Sequence, residues 1–290
     1  MSRTLSAGHI THLAGNTHTR CTMLRLDLID GSVLAITDHD QPITFDLGDG
    51  AATYSPTTGI LPSDLALSTG FEADDVEISG PIADDVTLPA ILGGRFDEAR
   101  ARMFQVNWAN LADGAIPLMR GRVALGTVKG GQFTLLIHSQ VGRFSQRIGR
   151  TITGYCDADF GDVRCGFTVP TISATVTGIV DARQFTVSYT GSYADDHFNM
   201  GSIVWTSGAL VGTRPVEIFD WSVAGLVTLW TPLAGLPLID STLTIRKGCL
   251  KTRPACLAYG NMINFRGFPD VPGSDQVLKY ATPGQGNVAP

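Results

Sequence analysis

The chain has 290 residues, of which 43% are hydrophobic and 17% are charged, and its net charge is −6 at pH 7. This length is enough for two domains with separate cores, and the composition is that of a folded protein rather than a disordered one. The acidic balance argues against a protein whose main role is to bind nucleic acid, since that affinity comes from an excess of Lys and Arg. No apolar run approaches the roughly 18–20 residues that cross a bilayer, and the polar N-terminus has no secretory signal. We therefore expect no membrane span, and folding in a reducing cytosol.

The first half of the chain is predicted to be rich in β-strands, with a little helix. Its strong segments alternate apolar and polar residues, which is the period of a strand, and turn residues separate them. Residues 1–15 are predicted to form a short helix, and a second helix is predicted over Val86–Leu92, capped by Asp84-Asp85 and ended by Gly93-Gly94. The predicted strands are Cys21–Leu28, Ser32–Thr37, Ala101–Trp108, Leu118–Thr127 and Gln132–His138.

The second half is predicted to be a small β-domain whose opening and closing segments carry cysteines. Its predicted strands are Thr171–Val180, Gln184–Tyr189, Ser202–Thr206, Val227–Trp230 and Leu243–Arg246. The last residues have no apolar periodicity, which is typical of a flexible tail. We therefore divide the chain into a β-rich N-terminal domain (1–150), a four-cysteine β-domain (151–275) and a C-terminal tail (276–290).

Four cysteines form two close pairs, Cys156 with Cys165 and Cys249 with Cys256, separated by about 80 residues. In a reducing cytosol, thiolates at fixed spacing bind metals more often than they form disulfides, and Cys21 makes the cysteine count odd. Four thiolates suit Zn²⁺ or an iron–sulfur cluster. Structural zinc ligands usually lie two to four residues apart, so these wider spacings favour a cluster. Zinc and inert buried cysteines remain open at this point.

The residues around the cysteines resemble a known family. The motifs are CDADFGDVRCG at Cys156–Gly166, GCLKTRPAC at Gly248–Cys256 and NFRGFPDVPG at Asn264–Gly273. They resemble the tail-tip hub proteins of long-tailed phages and of the phage-derived gene transfer agents of alphaproteobacteria, a family similar to minor tail protein L of phage lambda. Further stretches that resemble the gene-transfer-agent branch are Ile36–Asp40, Ile78–Gly80, Gly94–Asp97, Asn107-Trp108 and Leu118–Gly121.

This resemblance implies a structural protein of a virion-like tail, with no catalytic residues. It implies that Cys156, Cys165, Cys249 and Cys256 bind the irons of a structural [4Fe–4S] cluster. It also implies a baseplate hub, a homotrimer that lies between the distal tail protein ring and a large central tip or fibre protein of the megatron type. Such a particle is assembled in the bacterial host cytoplasm, and the hub recognises no nucleic acid directly.

Three alternatives compete with this interpretation. The same four thiols would serve a zinc-stapled binding module, or a redox-sensing iron–sulfur protein. A tail-tip peptidoglycan hydrolase is disfavoured, because no Cys/His/acid signature remains once the four thiols are ligands.

Other polar groups have simpler interpretations. Asp38-His39-Asp40 is predicted to be a polar turn, because the chain has no G-x-S-x-G nucleophile elbow. His9, His12 and His18 are interpreted as a solvated terminal segment rather than a metal site, since no carboxylate or thiol lies near them in the sequence.

The acidic pairs and the aromatic residues are assigned to surface and core respectively. None of the acidic pairs belongs to a D-x-D-x-D-G calcium loop, so each is predicted to lie in a turn or on the surface, and the second pair is predicted to cap a helix; they are Asp74-Asp75, Asp84-Asp85 and Asp195-Asp196. The residues predicted to lie in the core are Trp205, Trp221 and Trp230. Phe265 and Phe268 are expected to cover the cysteine site and to face a neighbouring subunit.

Overall fold

The computed structural model describes residues 5–56, 61–62, 75–82, 86–145 and 148–271. Within them the chain is mainly β with a few short helices, so the predicted fold class is confirmed at this level. No helix among these residues has the length and apolar character needed to cross a membrane. The predicted tail (276–290) and the residues Asp74, Asp84 and Asp85 lie outside the described residues.

The first half forms an antiparallel sheet and a separate hairpin. The sheet strands are β1 Arg20–Asp27, β2 Val33–Thr37, β5 Leu61–Pro62, β6 Asp75–Pro81, β7 Arg100–Asn107, β8 Ala115–Lys129 and β9 Gln132–Ser139, and the hairpin strands are β3 Ile43–Asp46 and β4 Ala51–Tyr54. The seven sheet strands are arranged in the order β2-β1-β7-β8-β9-β6-β5. The alternation in the sequence is therefore that of strands with one buried face.

One face of this sheet carries the main core of the first half. Alternate residues of its strands, such as Leu26, Ile78 and Ile137, are fully buried there. Helix α2 (Leu88–Leu92) packs on this face, and the Thr87 side chain caps it by accepting a hydrogen bond from the Ala90 N–H at 3.3 Å.

The start and the cap predicted for helix α2 were wrong. The prediction placed its start at Val86 and its cap at Asp84-Asp85, whereas the helix starts at Leu88 with Thr87 as its N-cap. Thr87 is the better cap because Pro89 then falls in the first turn, where proline is tolerated.

The opposite face of the sheet is only partly covered. The β3–β4 hairpin packs Ile43 and Tyr54 against Met23, Phe104 and Val106 at one end of this face. Towards the other end of β1, β7 and β8 the face is open and polar. Tyr54 is fully buried, so the hairpin seals its own end of the face.

Short helices accompany both halves. Helix α1 (Ala7–Leu13) begins after the N-cap Ser6, and helix α3 (Arg253–Ala258) begins after the N-cap Thr252. Three short 3₁₀ segments are also present in the described residues: Leu111–Asp113, Gln140–Ser145 and Met262–Asn264.

The second half contains a closed barrel. Its strands are β10 Thr171–Ile179, β11 Gln184–Tyr189, β12 Ser202–Trp205, β13 Val216–Trp221, β14 Leu226–Leu229 and β15 Thr242–Arg246. They close in the order β10-β11-β14-β13-β12-β15 around a core that includes Phe185, Ile203, Ile218, Val227 and Leu243.

The first and last strands of the barrel are neighbours. Thr171 pairs with Arg246 in an antiparallel register, and the Lys247 N–H donates to the Pro170 carbonyl at 3.0 Å. Because paired antiparallel strands run in opposite directions, the chain enters and leaves the barrel at the same place. The segments before β10 and after β15 are thereby brought side by side.

The tryptophans of the barrel divide between core and surface. Trp205 and Trp221 are buried, as predicted, but Trp230 is 46% exposed and the prediction for it was wrong. Strand β14 ends at Leu229, and Trp230 packs edge-to-face on the exposed Phe219 with ring centres 4.7 Å apart. These two rings form an aromatic pair on the outside of the barrel.

Candidate metal centre

Four cysteines of the second half line one small cavity. Cys156 and Cys165 lie in the irregular segment before β10, Cys249 follows β15, and Cys256 lies in α3. The other lining residues are Ala158, Phe160, Lys251, Tyr259, Asn261 and Asn264. The adjacency of β10 and β15 explains this arrangement, since it places the two cysteine-bearing segments at one end of the barrel.

The two segments are joined directly by their backbones. The Cys156 N–H donates to the Lys251 carbonyl at 2.8 Å. Gly248 lies so close to the barrel that an added Cβ would overlap the backbone of Met200 and Gly201. Glycine at this position therefore lets the second segment pass close to the barrel on its way to the cavity.

Asp162 organises the first cysteine loop. Its carboxylate accepts hydrogen bonds from the Cys165 N–H at 2.6 Å and from the Asp159 N–H at 3.2 Å. The hydrogen bond from the Cys165 N–H is the main cause that lowers the pKa of this carboxyl group. A charged Asp162 thus fixes the backbone on which Cys165 is carried.

Three of the four sulfur atoms receive hydrogen bonds from their surroundings, whereas the Cys256 thiol donates to the Asn261 carbonyl at 3.2 Å. The Lys251 N–H lies 3.3 Å from Cys249 Sγ, the Arg266 N–H lies 3.4 Å from Cys156 Sγ, and Asn261 Nδ2 lies 3.5 Å from Cys165 Sγ. Donors aimed at sulfur stabilise thiolate, the form that binds metal, and they tune thiolate-bound centres. The donor set therefore fits a centre held by thiolates.

The fourth thiol has a perturbed acidity. Burial raises the pKa of Cys256, and the neighbouring Cys156, Cys249 and Cys165 raise it further. Four thiolates so close together repel one another, and a bound cationic centre relieves that repulsion.

The thiols surround the cavity without forming a single-ion site. Among the residues that the structure describes, no group of three or more His, Cys, Asp or Glu side chains is arranged to hold one metal ion. A structural zinc site brings four ligands to about 2.3 Å from one point. The four thiols of this structure do not have that geometry.

Aromatic and charged side chains enclose the site. The rings of Phe160, Phe167 and Tyr259 pack with centres 5.1–5.3 Å apart, and Lys251 forms an ion pair with Asp159 at 3.3 Å. The expectation that Phe265 and Phe268 cover the cavity was wrong, because its aromatic lining comes from Phe160 and Tyr259. The sequence analysis did not predict Phe160 as a lining residue, even though it lies between Cys156 and Cys165.

Residues 264–271 still contribute to the surroundings of the site. The Arg150 guanidinium lies over the Phe268 ring, 4.6 Å from its centre, and it also pairs with Asp157 at 2.7 Å. The backbone of Arg266 supplies one of the sulfur contacts described above. This segment therefore holds the rim of the site.

Cys21 lies in the sheet, away from this cavity. It is buried beside Met23 and Tyr54, and burial raises the pKa of its thiol. All five cysteines are free thiols in this structure. Cys21 is therefore suited to serve as a control position.

The remaining candidates do not form sites. His9 is buried, so the interpretation of a fully solvated segment was wrong for it; its Nδ1 lies 2.9 Å from the Asp113 carbonyl oxygen. His39 lies in the turn after β2 and contacts Trp108, with ring centres 5.1 Å apart. Asp196 lies in a turn and accepts a hydrogen bond from Asn199 at 2.7 Å.

Comparisons with known proteins agree with the family resemblance. Residues 6–168 match the family model described as "Baseplate hub protein, N-terminal attachment domain", and residues 196–275 match "Phage conserved hypothetical protein BR0599". The chain also superposes on a chain of the solved structure titled "Virion of native gene transfer agent (GTA) particle". The TM-score is 0.83, the sequence identity is 27%, and the match covers 98% of this chain and 99% of that chain. No curated protein matches the chain.

Proposed function

The chain belongs to the baseplate hub protein family, and on that premise we propose that it joins the distal tail protein ring to the central tip protein of a phage or gene transfer agent particle. As a structural protein of a phage-like tail it acts by holding other subunits in place. We further propose that Cys156, Cys165, Cys249 and Cys256 hold a structural [4Fe–4S] cluster. The whole-chain similarity to a subunit of a solved virion supports the assembly role.

The observation that carries the cluster proposal is the shared cavity of the four thiols. They come from two segments about 80 residues apart, and three of them accept N–H donors. When bound, the cluster would link the four thiolates through its irons. The residues of this chain would orient the thiols, stabilise the thiolate charge through N–H donors and exclude water from the cavity.

The function of this linkage is mechanical. Closing a chain of about 80 residues costs roughly 4 kcal/mol of conformational entropy, which a covalent or coordinate link removes from the unfolded state. The link lies where the barrel joins the rest of the chain. It would therefore keep the barrel ends fixed when neighbouring subunits pull on them.

Exposed apolar side chains around the centre support a subunit contact. Val163 and Ile263 are at least 90% exposed, and Leu250 and Leu257 are more than 60% exposed. Exposed apolar residues concentrated in one region are typical of interfaces. We assign this surface to the contacts of the proposed homotrimer and its tail partners, made as the particle assembles in the host cytoplasm.

The experiment is metal analysis of anaerobically purified protein together with particle assembly. We expect a brown protein with four irons and four acid-labile sulfides per chain. Cys249→Ser should lose the iron and enter particles poorly, whereas Cys21→Ser should keep both properties. A colourless, zinc-loaded protein would replace the cluster with the zinc alternative. Normal assembly of Cys249→Ser would remove the linking role.

A further inference from the structure

The open part of the sheet face carries a grid of arginines. Arg25, Arg102 and Arg120 lie directly opposite one another on β1, β7 and β8. Two residues further along, Asp27, Arg100 and Arg122 form a second row in the same register. Five cations and one carboxylate therefore share one face of three adjacent strands.

This grid forms the floor of a large cleft. The cleft encloses about 740 Å³, and its lining includes all five arginines together with Asp27, Asp49 and Glu98. The turn of the β3–β4 hairpin overhangs it, where Arg102 pairs with Asp49 and Arg25 Nη1 donates to the Gly50 carbonyl at 3.1 Å.

Ion pairs hold the side chains at the floor of the cleft in place. The Arg25 side chain is only 8% exposed, and Asp27 lies 2.8 Å from both Arg25 and Arg102. Arg122 reaches Glu98 at 3.4 Å. In the described part of the chain these carboxylates already hold three of the five arginines in position.

The other two arginines have no such partner. Among the described residues, no carboxylate lies within ion-pair distance of Arg100 or Arg120, and both are exposed. Like charges directly opposite each other on a sheet repel. An anionic ligand would relieve the repulsion of Arg100 by Arg122 and of Arg120 by Arg102.

The geometry of these two residues points to the form of the ligand. Arg100 lies opposite Arg122 and Arg120 lies opposite Arg102, so Arg100 and Arg120 are diagonal neighbours, about 7–8 Å apart at the backbone. Carboxylates two residues apart on an extended chain are separated by about 6.8 Å. Guanidinium forks pair well with carboxylates.

The balance of charges in the cleft favours an acidic protein segment over nucleic acid as the ligand. Three carboxylates share the cleft with the five arginines, which leaves a modest positive excess that suits two carboxylates. A phosphate backbone would meet those three carboxylates at close range, on a chain whose net charge is −6.

We propose that this cleft binds an extended acidic segment of a neighbouring subunit, through two carboxylates spaced two residues apart that pair with Arg100 and Arg120. The proposal rests on the assembly role given above, but it does not depend on the cysteine site. It names the chemistry of a contact that the hub would make through its sheet.

Peptide binding to the purified full chain tests the proposal. The probe is a fluorescein-labelled Gly-Ser-Glu-Ser-Glu-Ser-Gly peptide, measured by anisotropy at low salt. An isomer with adjacent glutamates tests the spacing, and a short labelled oligothymidylate tests nucleic acid. We expect the alternating peptide to bind below about 1 mM and more tightly than either of the other probes.

Matched variants locate the binding. The double change Arg100→Gln with Arg120→Gln should weaken peptide binding about tenfold, the product of two exposed ion pairs worth roughly threefold each. Arg20→Gln is the control, because Arg20 is an exposed arginine of β1 whose position in the strand alternation puts it on the opposite face. If the double variant unfolds, Arg120→Gln alone should give about a threefold loss.

Three results would overturn the proposal: no peptide binding below about 1 mM, equal binding by the variants, or tighter binding of oligothymidylate, which would assign the cleft to nucleic acid. Because these measurements use the isolated chain, their failure is distinct from failure of particle incorporation.

Discussion

The side chain of Asn261 should contribute to stability far more than an ordinary asparagine. It is 8% exposed, and its Nδ2 donates to the Cys165 carbonyl at 2.8 Å and lies 3.5 Å from Cys165 Sγ. Its Oδ1 accepts from Asn264 Nδ2 at 2.8 Å. One amide thus connects the segment before the barrel with the segment after it.

The expected cost of Asn261→Ala follows from these contacts. Two hydrogen bonds of good length contribute about 1 kcal/mol each, and the buried Cys165 carbonyl also loses this donor. The total is about 2–3 kcal/mol of unfolding free energy. For a protein of this size the melting temperature should fall by about 4–12 °C.

Thermal and denaturant unfolding of anaerobically purified protein measures this effect. The control is Asn110→Ala, which removes an exposed amide that donates to Asp113 at 2.8 Å and should cost about 0.5 kcal/mol or less. Asn261→Asp should lower the unfolding free energy more than Asn261→Ala does, because a carboxylate would replace an amide donor that faces the Cys165 carbonyl and the Cys165 sulfur. That difference should shrink as the pH falls and the new carboxyl group becomes a donor.

Equal losses in Asn261→Ala and Asn110→Ala would refute this reasoning. So would an Asn261→Asp protein as stable as the wild type at neutral pH.

Two further predictions concern other parts of the fold. Gly248→Ala should destabilise the chain by about 2 kcal/mol or more, because its Cβ would overlap the backbone of Met200. The control is Gly149→Ala, whose Cβ would meet no atom within 4 Å and which should leave the melting temperature unchanged. Equal melting temperatures for the two variants would contradict the close packing at Gly248. Burial alone would raise the pKa of Asp27, but its bonds to two arginines lower it overall. A lowered folded-state pKa gives stability that is present above the unfolded value of about 3.9 and is lost as the pH falls through the folded value. The stability difference between wild type and Asp27→Asn, measured by urea unfolding, should therefore shrink below about pH 4, and a constant difference would contradict the ion pairs.

The strands with clean alternation could be predicted from the sequence. Strands β1, β7 and β9 were predicted to within about one residue at each end, since apolar and polar residues alternate along them. Strand β6 was missed although Val76 and Ile78 alternate, because it ends in Gly80-Pro81, a pair that reads as a turn. Strand β13 was missed because a register shift between Ile218 and Asp220 breaks its alternation.

The arrangement of the candidate site depended on information that periodicity does not contain. The spacing of the cysteines within each pair indicated a thiol site, but the meeting of the two pairs depends on the pairing of β10 with β15. Long-range register of this kind is set by the barrel core as a whole. The arginine grid was not predicted for the same reason: Arg25, Arg102 and Arg120 are far apart in sequence and become neighbours only through strand register.

Because the chain enters and leaves the barrel at the same place, the barrel resembles a domain inserted into the rest of the chain. Pro170 and Lys247 are joined by a backbone hydrogen bond, so the two ends of the barrel lie next to each other. Units whose ends lie close together tolerate insertion, loss and replacement better than units whose ends are far apart. We therefore expect this part of the chain to tolerate replacement by another small domain whose first and last strands pair, because the pairing of β10 with β15 brings the two cysteine segments together.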